Sequence, residues 1–165
     1  MPVFQIGKIP PRLEGPTVCL ELLKPWDWPA LYGLFKRLDR ESFESLGFMN
    51  STSALGMLLF CLFRFRWAYM IKTRKTPVGL AGVYSFEPGC SLFLALAILD
   101  STYRDMGIGR ECVGLVTTAF KDHGLCKEVW VEVLKSNQRG LNFWLKNGFT
   151  LEYKSAKGLV LKRNL

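Results

Sequence analysis

The sequence predicts a mixed α/β fold with a mostly antiparallel central sheet, its elements running β-αα-βββ-α-β-α-ββ. Three observations predict it. Residues 65–99 hold three runs rich in β-branched and aromatic residues, separated only by tight turns. A stretch with helical spacing of apolar residues, 107–123, follows the third run and is entered through two glycines. The strand-like run EVWVEVL (128–134) then leads into a second short helix and two closing strands.

Taken in order, TVCLELL (17–23) reads as a strand and DWPALYGLFKRL (27–38) as a helix. Pro29 falls in that helix's first turn, where its missing N–H does no harm. Residues 39–53 are polar and aromatic and hold a short helix, and a further helix covers about 52–62. FRWAYMIKT (65–73), PVGLAGVYSF (77–86) and SLFLALAIL (91–99) are joined by RKTP and EPG, which predicts an antiparallel meander. In the helix over 107–123, Ile108, Cys112, Leu115, Val116, Ala119 and Phe120 share one face, and Gly124 is its stop. SNQRGLNFWLKNG (136–148) reads as a helix stopped by Gly148, with strands at 149–154 and 158–163 closing the chain.

Composition narrows the class. The 165 residues are expected to form one domain, 1–165, and an apolar content of 49% argues against disorder. The net charge of +8 attracts phosphate, but without a Lys/Arg block it does not predict a nucleic-acid partner. Cys19, Cys61, Cys90, Cys112 and Cys126 are scattered and never form a C-x-x-C pair, which predicts free thiols in a reducing compartment. The lone histidine, His123, precedes a helix-ending glycine and has no ligand spacing around it, so no metal is expected. The N-terminus MPVFQIGKIPP lacks a signal pattern, and ALGMLLFCLF (54–63) is about half the length needed to span a bilayer. A cytoplasmic protein without membrane association, monomer or homodimer, is the expectation.

The stretch RDMGIG (104–109) stands where a strand hands over to a helix. A P-loop would need Lys and Ser/Thr after Gly114, but Leu115 and Val116 stand there. A dinucleotide fingerprint would need glycine or alanine at Cys112. The third reading, R-x-x-G-x-G, is a pyrophosphate cradle: Gly107 and Gly109 let backbone N–H groups approach an anion, with Arg104 and Arg110 adding charge. A structural turn with a basic rim is the alternative.

AILDSTYRDMGIGRECV resembles the acetyl-CoA signature of the Gcn-related N-acetyltransferases, the GNAT superfamily. VEVLKSNQRGLNFWLKNGF (131–149) is similar to the ending of the ribosomal-protein alanine acetyltransferases. The resemblance is specific over about 91–153. It implies acetyl transfer from acetyl-CoA to a primary amine, by direct attack through a tetrahedral intermediate; the amine is a small molecule, a peptide N-terminus or a lysine. It also implies that the strand at 91–99 and the strand at 128–134, the fourth and fifth of the fold, splay apart to admit the pantetheine arm. Carried over, backbone at Ile98 and Leu99 bonds the arm, and the Leu99 N–H holds the oxyanion. Arg104, Asp105, Met106, Gly107, Ile108, Gly109 and Arg110 hold the pyrophosphate. Asn137 bonds the arm, with Gly140, Phe143 and Trp144 around it.

Amine attack needs a base, and Glu132 is the first candidate. It stands among valines in a strand and occupies the glutamate position five residues before Asn137. Glu87, beside the EPG turn, is a weaker one. The family's usual acid is a tyrosine seven residues after the asparagine, where this chain has Trp144, whose indole N–H does not donate a proton. Tyr103 and Tyr153 are the candidate substitutes, Tyr103 being also a packing residue of its loop, and water protonating the leaving thiolate is the other route. The alternatives are a non-catalytic acyl-CoA-binding module and, further off, a basic nucleic-acid-binding domain.

Overall fold

The computed structural model describes residues 9–46 and 53–165. Eight strands form one sheet: β1 (Arg12–Glu14), β2 (Cys19–Leu22), β3 (Trp67–Thr73), β4 (Thr76–Glu87), β5 (Ser91–Ile98), β6 (Glu128–Leu134), β7 (Thr150–Lys154) and β8 (Gly158–Asn164). Their spatial order is β1-β2-β3-β4-β5-β6-β8-β7. The helices are α1 (Trp28–Lys36), α2 (Arg40–Ser45), α3 (Ala54–Arg64), α4 (Ile108–Asp122) and α5 (Gln138–Lys146). The mixed, mostly antiparallel sheet expected from the sequence is present. Relative to the expected order the sheet gains one strand, β1, and the short helix expected within 39–53 counts as α2, between α1 and α3. Part of the expected 39–53 helical region, residues 47–52, lies outside the described residues, as do residues 1–8 of the N-terminal stretch.

Alternation along the strands builds two cores. Tyr69 and Ile71 of β3, Leu92 and Leu94 of β5 and Val129, Val131 and Val133 of β6 face one side, beneath Ile108, Cys112, Val113, Val116 and Phe120 of α4. Ala68 and Met70 of β3, with Leu80 and Leu99, face the other side, against Leu31, Leu34 and Phe35 of α1 and Met57 and Cys61 of α3. Each large side chain buried this fully contributes roughly 1.5–3 kcal/mol of transfer free energy, so both helix layers are held firmly to the sheet. α3, greasy throughout in sequence, buries only one side. No helix among the described residues is long and apolar enough to cross a membrane.

Every neighbouring pair of strands is antiparallel except β5 and β6. Those two are parallel and pair only at Ser91–Glu128, Leu92–Val129 and Phe93–Trp130. Beyond that, residues 94–98 and 131–134 part company. Each strand stays held on its outer side, β5 by β4 through Ile98 and β6 by β8 through Leu134. The fold therefore contains a wedge whose two walls are rigid.

Candidate functional site

The wedge opens beside the start of α4. Gly107 is the residue before that helix and sits at φ +79°, and Asp105, two residues earlier, is at φ +60°. Left-handed backbone at these positions turns successive amides toward one concavity. Glu111 N–H bonds the Gly107 carbonyl at 3.1 Å, closing the first turn. Among the described residues, the N–H groups of Ile108, Gly109 and Arg110 have no protein acceptor, as expected for the first turn of a helix. Gly109 has a separate reason to be glycine: a Cβ there would lie 3.0 Å from the Phe143 ring. Phe143 and Leu96 thus meet Gly109 on the α4 side of the wedge. This concavity is the part of the site whose chemistry fits a diphosphate.

Backbone polarity along β5 is set by its register. Leu99 N–H donates to the Val78 carbonyl at 2.9 Å, while the Cys90 carbonyl accepts from Glu128 N–H of β6 at 3.0 Å. Since N–H and C=O groups alternate sides along a strand, Leu94, Leu96 and Ile98 direct theirs into the wedge and Leu99 does not. This corrects the expectation that Leu99 N–H is the oxyanion donor, because that amide is already spent on β4. The amide with the required direction is that of Ile98.

The flanking charges are also placed. Arg104 Nε donates to the Ile98 carbonyl at 3.1 Å and its Nη2 to the Leu99 carbonyl at 3.4 Å. Its guanidinium therefore lies over the end of β5 and not over the concavity. Asp105 pairs with Arg139 of α5 at 2.8 Å, across the gap between the two helix starts. Arg110 and Met106 are exposed at the concavity's rim. Asp39 and Asp100 both have carboxyls held below their usual range. Bonds from Ser42 act first on Asp39 and from Thr102 first on Asp100, and the nearby Arg104 charge adds to both.

Asn137 caps α5, its Oδ1 accepting from Gly140 N–H at 2.8 Å, and its Nδ2 donates to the Ser45 carbonyl at 3.2 Å. Gly140 makes room for that cap, since a Cβ would lie 2.6 Å from Asn137 Nδ2. Both polar ends of Asn137 are thus engaged within the protein. The bond to Ser45 joins the end of α2 to the start of α5, the helix that follows β6.

Glu132 is exposed on the face opposite the three valines. Its Oε1 accepts from Ser155 Oγ at 2.5 Å, and Ser155, in the β7–β8 turn, is itself fixed by Gly158 N–H at 2.8 Å. Tyr103 packs against the α4-side core. Tyr103 and Glu132 are therefore on opposite sides of the sheet, and the structure does not bring them together. Trp144 is 6% exposed, with its ring 4.8 Å from Phe149 and 5.1 Å from Phe143, so it is a core residue. Glu87 pairs at the far end of β5, opposite Ser91, away from the wedge.

Tyr84 was missed in the sequence. A register slip between Val83 and Ser85 leaves it unpaired with β5, and its ring stands 5.5 Å from Phe93 on the Glu132 face. Burial pushes its phenol up, and the nearby Glu132 and Tyr153 push it further. The signal was present in VYSF, where Val83 and Tyr84 in succession break strict alternation, but only pairing with β5 shows which residue is extra. No cluster of three or more metal-binding side chains occurs among the described residues.

A family model described as the acetyltransferase (GNAT) family matches residues 24–149. No curated protein matches by sequence. Among solved structures, RimL, a ribosomal L7/L12 alpha-N-protein acetyltransferase in complex with coenzyme A, is 19% identical with a TM-score of 0.75, covering 93% of this chain and 98% of its own. A probable GNAT-family acetyltransferase from Chromobacterium violaceum has a TM-score of 0.81 at 17% identity, over 96% of this chain and 88% of its own. The microcin C7 self-immunity acetyltransferase MccE, in complex with acetyl-CoA and AMP, has a TM-score of 0.74 at 13% identity, over 92% and 94%. At these identities the likeness carries the fold.

Proposed function

This chain belongs to the acetyltransferase (GNAT) family, and on that premise we propose that it moves an acetyl group from acetyl-CoA to a primary amine. The observation that carries the reading is the parting of β5 and β6 after Phe93 and Trp130, beside a helix start with free N–H groups. A strand-like arm bonds the edge left by Leu94, Leu96 and Ile98, and the diphosphate sits at Gly107–Arg110. Glu132, held by Ser155, takes the proton from the ammonium. The C–N bond forms as the oxyanion develops toward the Ile98 N–H. The C–S bond then breaks, and the thiolate leaves with a proton from solvent or from a hydroxyl on the Glu132 face, Tyr84 or Tyr153.

For the carbonyl of Ile98 to bond the arm, the Arg104 Nε must release it. A non-catalytic acyl-CoA-binding role is the second reading, favoured by the burial of Trp144 where the family's acid stands. Titration calorimetry with coenzyme A, followed by thiol release from acetyl-CoA with a panel of amines, tests both. Binding with amine-dependent thiol release supports transfer, binding without release supports the second reading, and no binding sinks both.

A further inference from the structure

Exposed apolar side chains collect on one outer surface of the molecule. α1 and α3 lie side by side on the sheet face formed by Met70 and Leu80. Met57 and Cys61 of α3 are buried in that core, while Leu55, Leu59 and Phe63, at i, i+4 and i+8, form a stripe on the far side. Phe63 is 82% exposed. Between Ala54 and Phe63 no side chain is charged or carries a hydroxyl or amide. The helix therefore has no polar face: one side meets the sheet and the other presents carbon to solvent.

α1 extends this patch. Leu23 N–H donates to the Ala68 carbonyl at 2.8 Å, so the chain entering α1 and the chain leaving α3 stand together at one end of the helix pair. Trp26, 72% exposed, and Trp28 lie at that end, and Tyr32 follows one turn along α1. Three cations frame the rings. Lys24 Nζ lies 5.4 Å from the Trp26 ring centroid, Lys36 Nζ 5.8 Å from that of Tyr32, and the Arg64 guanidinium 5.8 Å from that of Phe60. Among the described residues none of these three cations is in an ion pair. The acids nearby in sequence are turned elsewhere. Asp27 accepts from Lys24 N–H and faces Lys72, and Asp39 caps α2 through Ser42 N–H. Glu41 and Glu44 belong to α2, past the other end of α1, and Glu44 pairs with Arg40.

We infer that this surface docks on an anionic lipid bilayer. α3 lies in the plane of the headgroups, Leu55, Leu59 and Phe63 dip beneath them, and Lys24, Lys36 and Arg64 meet lipid phosphates. The inference concerns binding alone and stands apart from the acetyl-transfer reading. α3 has 11 residues, about 16 Å of helix and half the hydrocarbon thickness, so it lies along a bilayer and does not cross it. The expectation of no membrane association came from span length, which excludes crossing and leaves docking open.

Two features favour a bilayer over a protein. A ring whose outer edge carries a cation suits the headgroup region, where the ring meets apolar and carbonyl groups and the cation reaches phosphate. Protein interfaces carry about one hydrogen bond per 100–200 Å², and the outer stripe of α3 has no side chain to make one. A second copy of the chain would set one cationic patch against another with no acid on either to answer it. The net charge of +8 adds to the attraction for anionic lipid.

The test is co-sedimentation of the full-length protein with vesicles of phosphatidylcholine alone and of equal parts phosphatidylcholine and phosphatidylglycerol. The expected partition onto the anionic vesicles exceeds that onto the neutral ones by about tenfold or more at low salt, and falls to the neutral level at about 1 M salt, where the Debye length is about 3 Å. Leu59→Ser with Phe63→Ser lowers the anionic partition by about tenfold or more, and each of Lys24→Gln, Lys36→Gln and Arg64→Gln lowers it by about fivefold. All five positions are on the surface, and an unchanged far-ultraviolet dichroism spectrum checks that each variant is folded. On the wild-type protein, lipids brominated in the acyl chain are expected to quench tryptophan emission. Failure of the wild-type protein to sediment with anionic vesicles overturns the inference. Binding that the Leu59 and Phe63 substitutions leave unchanged also overturns it, because charge alone would then account for the attraction. A dimer that those substitutions convert to monomer, without vesicle binding, overturns it in favour of a second copy on this face.

Discussion

Gly107 and Gly109, one residue apart, are glycine for different reasons, and the difference is measurable. Gly107 is at φ +79° with no atom within 4 Å of a would-be Cβ. Alanine there meets no clash and costs only its left-handed conformation, about 1–2 kcal/mol, partly offset by a stiffer unfolded chain worth about 0.4–1 kcal/mol. A net loss of about 1 kcal/mol lowers Tm by about 2–4 °C in a domain of this size. Gly109 is in α4, where alanine is intrinsically better than glycine by up to about 1 kcal/mol. Its Cβ would nonetheless lie 3.0 and 3.1 Å from two carbons of the Phe143 ring, an overpacking that costs about 1–3 kcal/mol.

Gly109→Ala is therefore destabilising in the wild-type background and neutral or stabilising once Phe143→Leu removes the ring. Gly107→Ala keeps its cost in both backgrounds. Urea denaturation of the four-member cycle reads this as a coupling of about 1 kcal/mol or more between 109 and 143 and none between 107 and 143. Additivity at 109 and 143 within about 0.3–0.5 kcal/mol would refute the packing argument.

Other consequences follow from named contacts. Glu111 Oε1 accepts from the N–H groups of Thr17 and Val18 at 2.9 and 3.1 Å, and Glu111 also takes the Thr17 hydroxyl. Burial pushes its carboxyl up, but these bonds more than offset this and leave it below its usual 4.5. A depressed folded pKa stabilises above the unfolded value and is lost as pH falls through the folded one. The contribution of Glu111 is thus full above about pH 4.5 and fades below it, and Glu111→Gln is expected to flatten the acid limb of a stability–pH curve; an unchanged limb refutes this. Trp144→Tyr, which restores the family's residue, is expected to lose about 1–2 kcal/mol without raising kcat, because the site packs against Phe149 in the core. A faster enzyme would show that position 144 reaches the thiolate after all.

Much of this molecule was legible in its residues because each element carries its own periodicity or punctuation. α4 was announced by its apolar face and by the glycines before it, and β6 by EVWVEVL. β1 was not, since three residues between Pro11 and Gly15 are too few for a pattern, and their strand state comes from pairing with β2. α2 was legible as a short helix, but its tie to α5 was not, because that depends on Asn137 meeting Ser45 across 92 positions of sequence.

The same limit explains the error at Leu99. Alternation guarantees that neighbours point opposite ways, so Ile98 and Leu99 cannot both face the wedge. Which one does is set by the register with β4, through Val78, and that is a tertiary fact. Glu132 illustrates the converse. Its face was readable from the valines beside it, whereas its partner Ser155 came from a turn that no local pattern ties to it.

Amide hydrogen exchange with and without coenzyme A tests the central claim most directly. The account predicts protection concentrated at residues 107–110 and at the Leu96 and Ile98 amides, with the Leu99 amide, already bonded to Val78, unchanged. Binding that leaves those amides exchanging as before, and protects another surface instead, would contradict it.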